Sequence, residues 1–434
     1  MRRNLMTSTV VDKKGAFWLF LIGVFSMTQV RLGARIGISE ACCCLVAPLV
    51  YLKHYTTYRR DGVSVFFNLL LLWVIGAIVS DLYNHCCFEQ FIRGFSVPFT
   101  LFGVSTCVYH LLRRRPDNLK FILMGIAVSS VISIFVFQRG DAGDMASAGD
   151  VQGAIDRVVG YKLFWSNQVK TWVTLPAAGW YLSIPKSVLF FTLTLVAFAN
   201  MSAGGRSAFA VSILSLAIVL IGGKTAASIR SLKRYFPLLM IGFAVLVGVL
   251  KVGYSYAAKN GYLSEAETEK YEKQTARGED LMTLIKSGRG DFFIGLDAAL
   301  DKPIFGHGSQ ALDYFGYERD FITKYGTDFE RESYIKRELN GYLHAIKAHS
   351  HVICYWMWHG ILALIFWLYI LYLLVTTFRK RMHYRPEWFG YLAIAIPAFL
   401  WDYFFSPLGL RVDECVLYCV MLVLLQMEKR LKVR

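Results

Sequence analysis

Apolar runs follow one another along most of this chain, and basic residues close them on alternate sides. The runs fall near 16–30, 40–53, 64–81, 93–110, 118–137, 168–183, 187–202, 207–222, 235–251, 349–374, 388–401 and 411–427. A helix of about 20 residues, rising about 1.5 Å per residue, crosses the hydrocarbon layer of a bilayer. The pattern therefore predicts an all-α polytopic membrane protein with about twelve transmembrane helices.

An even number of spans puts both termini on one side. Arg2, Arg3, Lys13 and Lys14 at the start, and Lys429, Arg430, Lys432 and Arg434 at the end, make that side the cytoplasm. Arg59-Arg60, Arg113-Arg114-Arg115, Lys186, Lys224 to Arg234 and Arg379 to Arg385 then all fall inside. Outside lie the turn around Arg31 and Arg35, the turn from Asp81 to Arg93, residues 138–167, one hydrophilic segment over 251–348, and a short turn ending near Arg411. The expected organisation is a membrane bundle over 1–250 with about nine spans, a periplasmic loop or lid over 251–348, and a bundle over 349–434 with about three.

Composition sharpens this picture. A chain of 434 residues that is 55% hydrophobic and only 18% charged is not a single soluble domain. The formal charge of +16 sits in clusters between apolar runs, which points to anionic membrane lipids as partners and not to nucleic acid. The first run ends in Met27-Thr28-Gln29 without a small-residue cleavage site, so it reads as a retained span. Cys42, Cys43, Cys44, Cys107, Cys354, Cys415 and Cys419 fall in predicted spans, Cys86 and Cys87 in an outer turn, and none in 251–348, so no disulfide framework is expected there.

Within the hydrophilic segment, Ser264 to Lys286 predicts one or two Glu-, Lys- and Thr-rich helices. Phe292 to Leu300 carries an apolar stripe that ends at Asp301-Lys302-Pro303, where proline and the following Gly306-His307-Gly308 force a turn. Asp313 to Leu343 mixes aromatic and charged residues in a manner suited to a lid over a polar cavity.

Chemistry concentrates where this segment returns to the membrane. His344, His349, His351 and His359 crowd the start of the tenth run, and His307 precedes them. His349 and His351 are two apart and would diverge by about 200° on a helix, unlike the His-Glu-x-x-His pair of helical zinc sites. No metal and no cofactor is expected. Two arginines lie on the predicted outer side, against the inside-positive trend: Arg206 in Ser202-Ala203-Gly204-Gly205-Arg206-Ser207, and Arg289 in Ser287-Gly288-Arg289-Gly290-Asp291. Small neighbours allow close approach, and a guanidinium offers a planar fork of donors that never loses its proton. Two such groups brought together call for an anion between them, and a lipid-linked pyrophosphate is one available at this depth. Asp291 and Glu318 are placed either to hold arginines or to recognise sugars.

Three stretches resemble the bacterial O-antigen polymerase and O-antigen ligase superfamily. They are Ser202 to Ala208 before an apolar run, Ser287-Gly288-Arg289 through Asp301-Lys302-Pro303-Ile304-Phe305-Gly306-His307-Gly308, and His349-Ser350 followed by Gly360-Ile361. The resemblance implies an integral inner-membrane glycosyltransferase whose donor is an undecaprenyl-pyrophosphate-linked glycan on the periplasmic face. It implies that Arg206 and Arg289 bind the donor pyrophosphate and that His349 stands near the transferring group, making these three the candidate catalytic residues. Arg411, His307 and His351 are further candidates for substrate binding. Many relatives carry Asn after the histidine and Leu four positions after it, where this chain has Ser350 and Ile353, and His351 competes with His349 for the proton-handling role. The implied activity is a surface-polysaccharide polymerase acting without metal and with inversion, in company with other polysaccharide assembly proteins. A ligase that delivers the glycan to a lipid A core is the first alternative, and a transporter of lipid-linked oligosaccharide the second.

Overall fold

The computed structural model describes residues 12–32, 34–137, 183–202, 206–262, 268, 271–272, 275, 286, 289–326, 328–339, 344–406 and 411–433. The described chain is overwhelmingly helical. Helix α1 (Lys13–Val24) starts at Asp12, whose carboxylate accepts from the Gly15 N–H. It is shorter than the run over 16–30, because the chain leaves the helix at Phe25 and forms a hairpin of β1 (Gln29–Leu32) and β2 (Ala34–Gly37), in which Arg31 pairs with Arg35. The predicted turn around these arginines is thus the tip of a two-stranded ribbon.

Helices α2 (Ile38–Asp61), α3 (Ser64–Tyr83), α4 (Phe88–Leu112) and α5 (Leu119–Phe137) follow with short connections. Then come α6 (Lys186–Ser202), α7 (Arg206–Gly222) and the 34-residue α8 (Ala226–Lys259). The hydrophilic segment supplies α9 (Gly290–Asp301), α10 (Tyr317–Tyr325) and α11 (Asp328–Leu339). Helices α12 (His351–His359), α13 (Ile361–Thr376), α14 (Phe389–Phe405) and α15 (Arg411–Val433) close the described chain.

Small residues set the closest helix crossings. A side chain at Gly23 of α1 would meet the Ile122 carbonyl of α5, and one at Gly125 would meet the Phe20 carbonyl. A side chain at Gly103 of α4 would stand 2.9 Å from the Cys44 backbone of α2. At the centre stands α15, whose residues from Cys415 to Leu424 are buried all round, as expected of a helix surrounded by others. Its basic end is tied to the first half of the chain through buried Asp61, which accepts from Arg113 (2.6 Å), Gln426 (3.0 Å) and Arg430 (3.1 Å). Arg381 pairs with Glu428 at 2.7 Å in the same region. Several basic residues that read as orientation signals are therefore also partners of buried carboxylates.

Among the described residues, four helical stretches are long and apolar enough to cross a membrane: Ser64–Tyr83, Phe88–Leu112, Ile361–Tyr384 and Pro386–Phe405. Ser187–Asn200 and Ala208–Gly222 are shorter apolar helices. The expected number of about twelve is not established by these helices, and nearly all of the run over 168–183 lies outside the described residues, as does most of Ser264 to Lys286. The tenth run is also not one helix. It breaks at Gly360, whose φ of 70° and ψ of −154° lie in a region open essentially to glycine alone. A Cβ there would stand 1.9 Å from the Ile304 carbonyl oxygen, so the break seats the stretch just after Asp301 of α9 against the bundle.

Candidate functional site

Helix α9 begins where the sequence turns from glycine-rich to apolar, and it ends at Asp301, ahead of Pro303. Arg289 occupies its N-cap position, and Asp291 lies in its first turn. The Asp291 carboxylate meets His349 Nδ1 in a short side-chain hydrogen bond. Burial alone would raise the Asp291 pKa, but His349, Lys347 and Arg289 outweigh it and hold the carboxyl below its ordinary value. An ionised carboxylate only accepts, so Nδ1 of His349 carries the hydrogen, and it is the neutral form of the ring that offers a lone pair at Nε2.

His349 does not begin α12. Ser350 is the N-cap, in extended conformation, with its hydroxyl accepting from the Ile353 N–H and donating to the Tyr403 carbonyl at 3.0 Å. The cap explains why neighbouring histidines part company: His349 stays outside the helix with its side chain 53% exposed. His351, in the first turn, is 0% exposed, lying between Trp367 and Phe399 with Nε2 3.7 Å from Glu414.

Arg289 reaches in another direction. It donates to the Phe405 carbonyl at 3.3 Å, and its guanidinium carbon lies 4.9 Å from the Trp401 ring centroid and 5.5 Å from that of Phe405. Burial lowers its pKa, and Asp291 opposes that shift. The loop end of α14 thus cradles a cation one residue away from α9. Neither Trp401 nor Phe405 was singled out in the sequence, since aromatic residues at the end of an apolar run are ordinary membrane-boundary features.

Arg206 is the first residue of α7, and the structure describes its backbone without its side chain. Its location follows from helix register. Gly222 at the other end of α7 lies against the ring of Phe389, the first residue of α14. Helices α7 and α14 are both 17 residues long and pack together, and with Gly222 against Phe389 an antiparallel alignment puts Arg206 and Phe405 at the same end of the pair. That is the end at which Arg289 is bound. The Arg411 side chain lies outside the described residues, although its backbone opens α15.

His307 stands apart from this group. Its Nε2 donates to the Ala298 carbonyl at 2.8 Å, and its own N–H donates to Met357 O at 2.7 Å. Burial pushes its imidazole below the ordinary value, with the Ala298 carbonyl opposing. The imidazoles of His307, His349 and His351 therefore face three different partners and do not converge. Lys347, two residues before His349, pairs with buried Glu318 of α10 at 2.7 Å. Asp313 caps α10, accepting from the Tyr317 and Glu318 N–H groups at 2.9 and 2.8 Å. The predicted acidic helpers thus divide, Asp291 serving His349 and Glu318 serving Lys347.

Residues 188–368 match the family model described as O-antigen ligase. This match supports the resemblance of that segment to the O-antigen polymerase and ligase superfamily. The matched segment runs from α6 into α13 and contains Arg206, Arg289, Asp291, His307, His349 and His351; Trp401, Phe405 and Arg411 lie beyond it. No curated protein matches the chain. The family match and the apolar helices together indicate an integral membrane protein of glycan-transferase type.

Proposed function

We propose that this protein transfers a glycan from undecaprenyl pyrophosphate to the hydroxyl of an acceptor sugar, on the periplasmic side of the bacterial inner membrane. The observation that carries the reading is the Asp291–His349 pair next to Arg289, at one end of an apolar bundle. In this mechanism Asp291 keeps Nδ1 of His349 protonated, and Nε2 accepts the proton of the attacking hydroxyl. The acceptor oxygen forms a bond to the anomeric carbon as the bond from that carbon to the phosphate oxygen breaks. The electron pair leaves with the pyrophosphate, whose growing charge is met by Arg289 and Arg206. A leaving group already stabilised as an anion needs little acid assistance, so a second carboxylate is not required. Attack opposite the leaving group inverts the anomeric carbon. Arg411, His307 and His351 are assigned supporting roles in substrate binding, the last two from within the packed structure.

The organisation that serves this reaction is a first bundle over 1–250, a loop over 251–348 that covers the donor, and a second bundle over 349–434. We assign the acceptor as a second lipid-linked repeat, which makes the protein a polymerase. The description of the matching family model favours a second reading, a ligase that uses a lipid A core. Purified protein given lipid-linked repeats alone decides between them. Longer lipid-linked products support the polymerase, whereas transfer that starts only when lipid A core is added supports the ligase. Donor that crosses liposomes without any change in glycan length or linkage sinks both and leaves a transporter.

A further inference from the structure

Ser309, Asp81 and His359 form a buried constellation that resembles a nucleophilic triad but has its protons reversed. The indole N–H of Trp73 donates to His359 Nδ1 at 2.9 Å, and an indole nitrogen can do nothing else. His359 therefore carries its hydrogen on Nε2 and gives it to Ser309 Oγ, 2.9 Å away. The Ser309 hydroxyl must then donate onward to Asp81 Oδ2 at 2.8 Å, while its backbone N–H meets Oδ1 at 2.6 Å. No lone pair on His359 is free to take the serine proton, so the group cannot activate Ser309. With Ser309 and His359 both at 1% exposure or less and Asp81 at 2%, it acts as a lock.

The lock joins the far ends of the two helices whose near ends form the proposed site. His359 closes α12, and Ser309 lies beyond the end of α9 in a stretch held to that helix by the bond from His307 Nε2 to Ala298 O. Further bonds reinforce the joint: Gly308 N–H to Trp358 O at 3.0 Å, Ile361 N–H to Ile304 O at 3.0 Å, and Ser80 Oγ to Trp358 O at 2.6 Å. Gly94 of α4 leaves room for it, since a Cβ there would lie 1.6 Å from Ser309 Oγ. We propose that Asp81, Ser309, His359 and Trp73 are positioning residues that keep Asp291 and His349 in register for glycan transfer. The proposal rests on the functional reading given above. Helices α9 and α12 are levers about 12 to 15 Å long, so a tilt of about 5° at the lock moves the paired side chains by about 1 Å. A displacement of that size costs about 10²-fold in rate.

The test compares wild type with Trp73→Phe, Ser309→Ala and Asp81→Asn, with Asp291→Asn as the spectroscopic reference, each purified and checked for monodispersity. Transfer assays give kcat and KM for the lipid-linked donor, and nitrogen NMR of histidine-labelled protein reports the His349 imidazole. The expected result is a fall in kcat of about 10- to 100-fold with donor KM within about 2-fold of wild type, and a His349 Nδ1 signal moved towards that of Asp291→Asn. If Ser309→Ala does not accumulate, Trp73→Phe carries the test, because it removes the indole N–H while keeping an aromatic side chain, and the monodispersity check reports the cost of the smaller ring. Folded variants with wild-type kcat and an unmoved His349 signal overturn the proposal, as does a loss that matches only a smaller folded fraction. If the wild type transfers no glycan, the functional reading fails, and the NMR arm still decides whether the lock is coupled to His349.

Discussion

Asp291 and His349 meet side chain to side chain although 58 residues separate them. The pair closes the hydrophilic segment on itself, one partner from the first turn of α9 and the other from the residue before the α12 cap. Its electrostatics set a direction for pH. Because the Asp291 pKa is held below its ordinary value of 3.8, the pairing contributes fully above that value and is lost as pH falls through the lowered one. Transfer should show no titration of Asp291 between pH 5 and 8, a range taken from ordinary assay practice and about one unit or more above the carboxylate range. Asp291→Asn, which leaves the tautomer of His349 unspecified, should lower kcat about 10²-fold or more with donor binding retained. An asparagine variant with wild-type kcat would remove Asp291 from the mechanism.

His349 and His351 should separate cleanly in a paired measurement of transfer and thermal stability. His349→Ala is expected to lower kcat about 10²- to 10⁴-fold with a smaller fall in melting temperature than His351→Ala, because the side chain is half exposed. His351→Ala opens a space between Trp367 and Phe399 and should lower the melting temperature, with a smaller effect on turnover. Transfer abolished in folded His351→Ala but preserved in His349→Ala would reverse the assignment of the base.

Arg289 is predicted to tolerate neither alanine nor lysine. Alanine should cost about 10²- to 10³-fold in transfer, and lysine should recover little of it, because an ammonium cannot both reach the Phe405 carbonyl and present a planar fork to phosphate. Trp401→Ala removes one wall of the cradle and should raise donor KM more than it lowers kcat. Arg206→Ala should resemble Arg289→Ala in the same donor-binding and turnover assays. Full turnover by both alanine variants would reject the pyrophosphate clamp.

Activity should survive chelator and extensive dialysis. His307 is bound to Ala298 O, His349 to Asp291, and His351 lies by Glu414, so these rings do not point to one centre. Loss in chelator with recovery on one added divalent ion would overturn the expectation.

Gly360→Ala should destabilise the protein in a way no neighbouring glycine in an open position would. The substitution forces both a backbone conformation costing about 1–3 kcal/mol and a clash with the Ile304 carbonyl. Gly242→Ala, with open space around it, is the control and should leave the melting temperature near wild type.

Local chemistry made parts of this arrangement legible in advance. Asp301-Lys302-Pro303 stops α9 where proline stops a helix, and the glycines beside Arg206 and Arg289 mark places where helices begin. The break at Gly360 was hidden, since apolar residues continue on both sides and only the docking of Ile304 requires it. Partnership was hidden as well: nothing near His349 in sequence announces Asp291, and nothing near Arg289 announces Trp401. Asp81 and His359, polar groups inside apolar runs, were the available signal for the buried lock, because such groups are costly without partners. Ser309 carried no signal of its own.

Helix α15 follows every other described helix in the chain, yet it lies at their centre and supplies Gln426 and Arg430 to Asp61. During biogenesis the earlier helices must therefore wait in the membrane around an unfilled middle, with Asp61 resting on Arg113 alone among these three donors. Quality control by membrane proteases would see that waiting state as incomplete, so the interval before α15 arrives is when the nascent protein is most vulnerable.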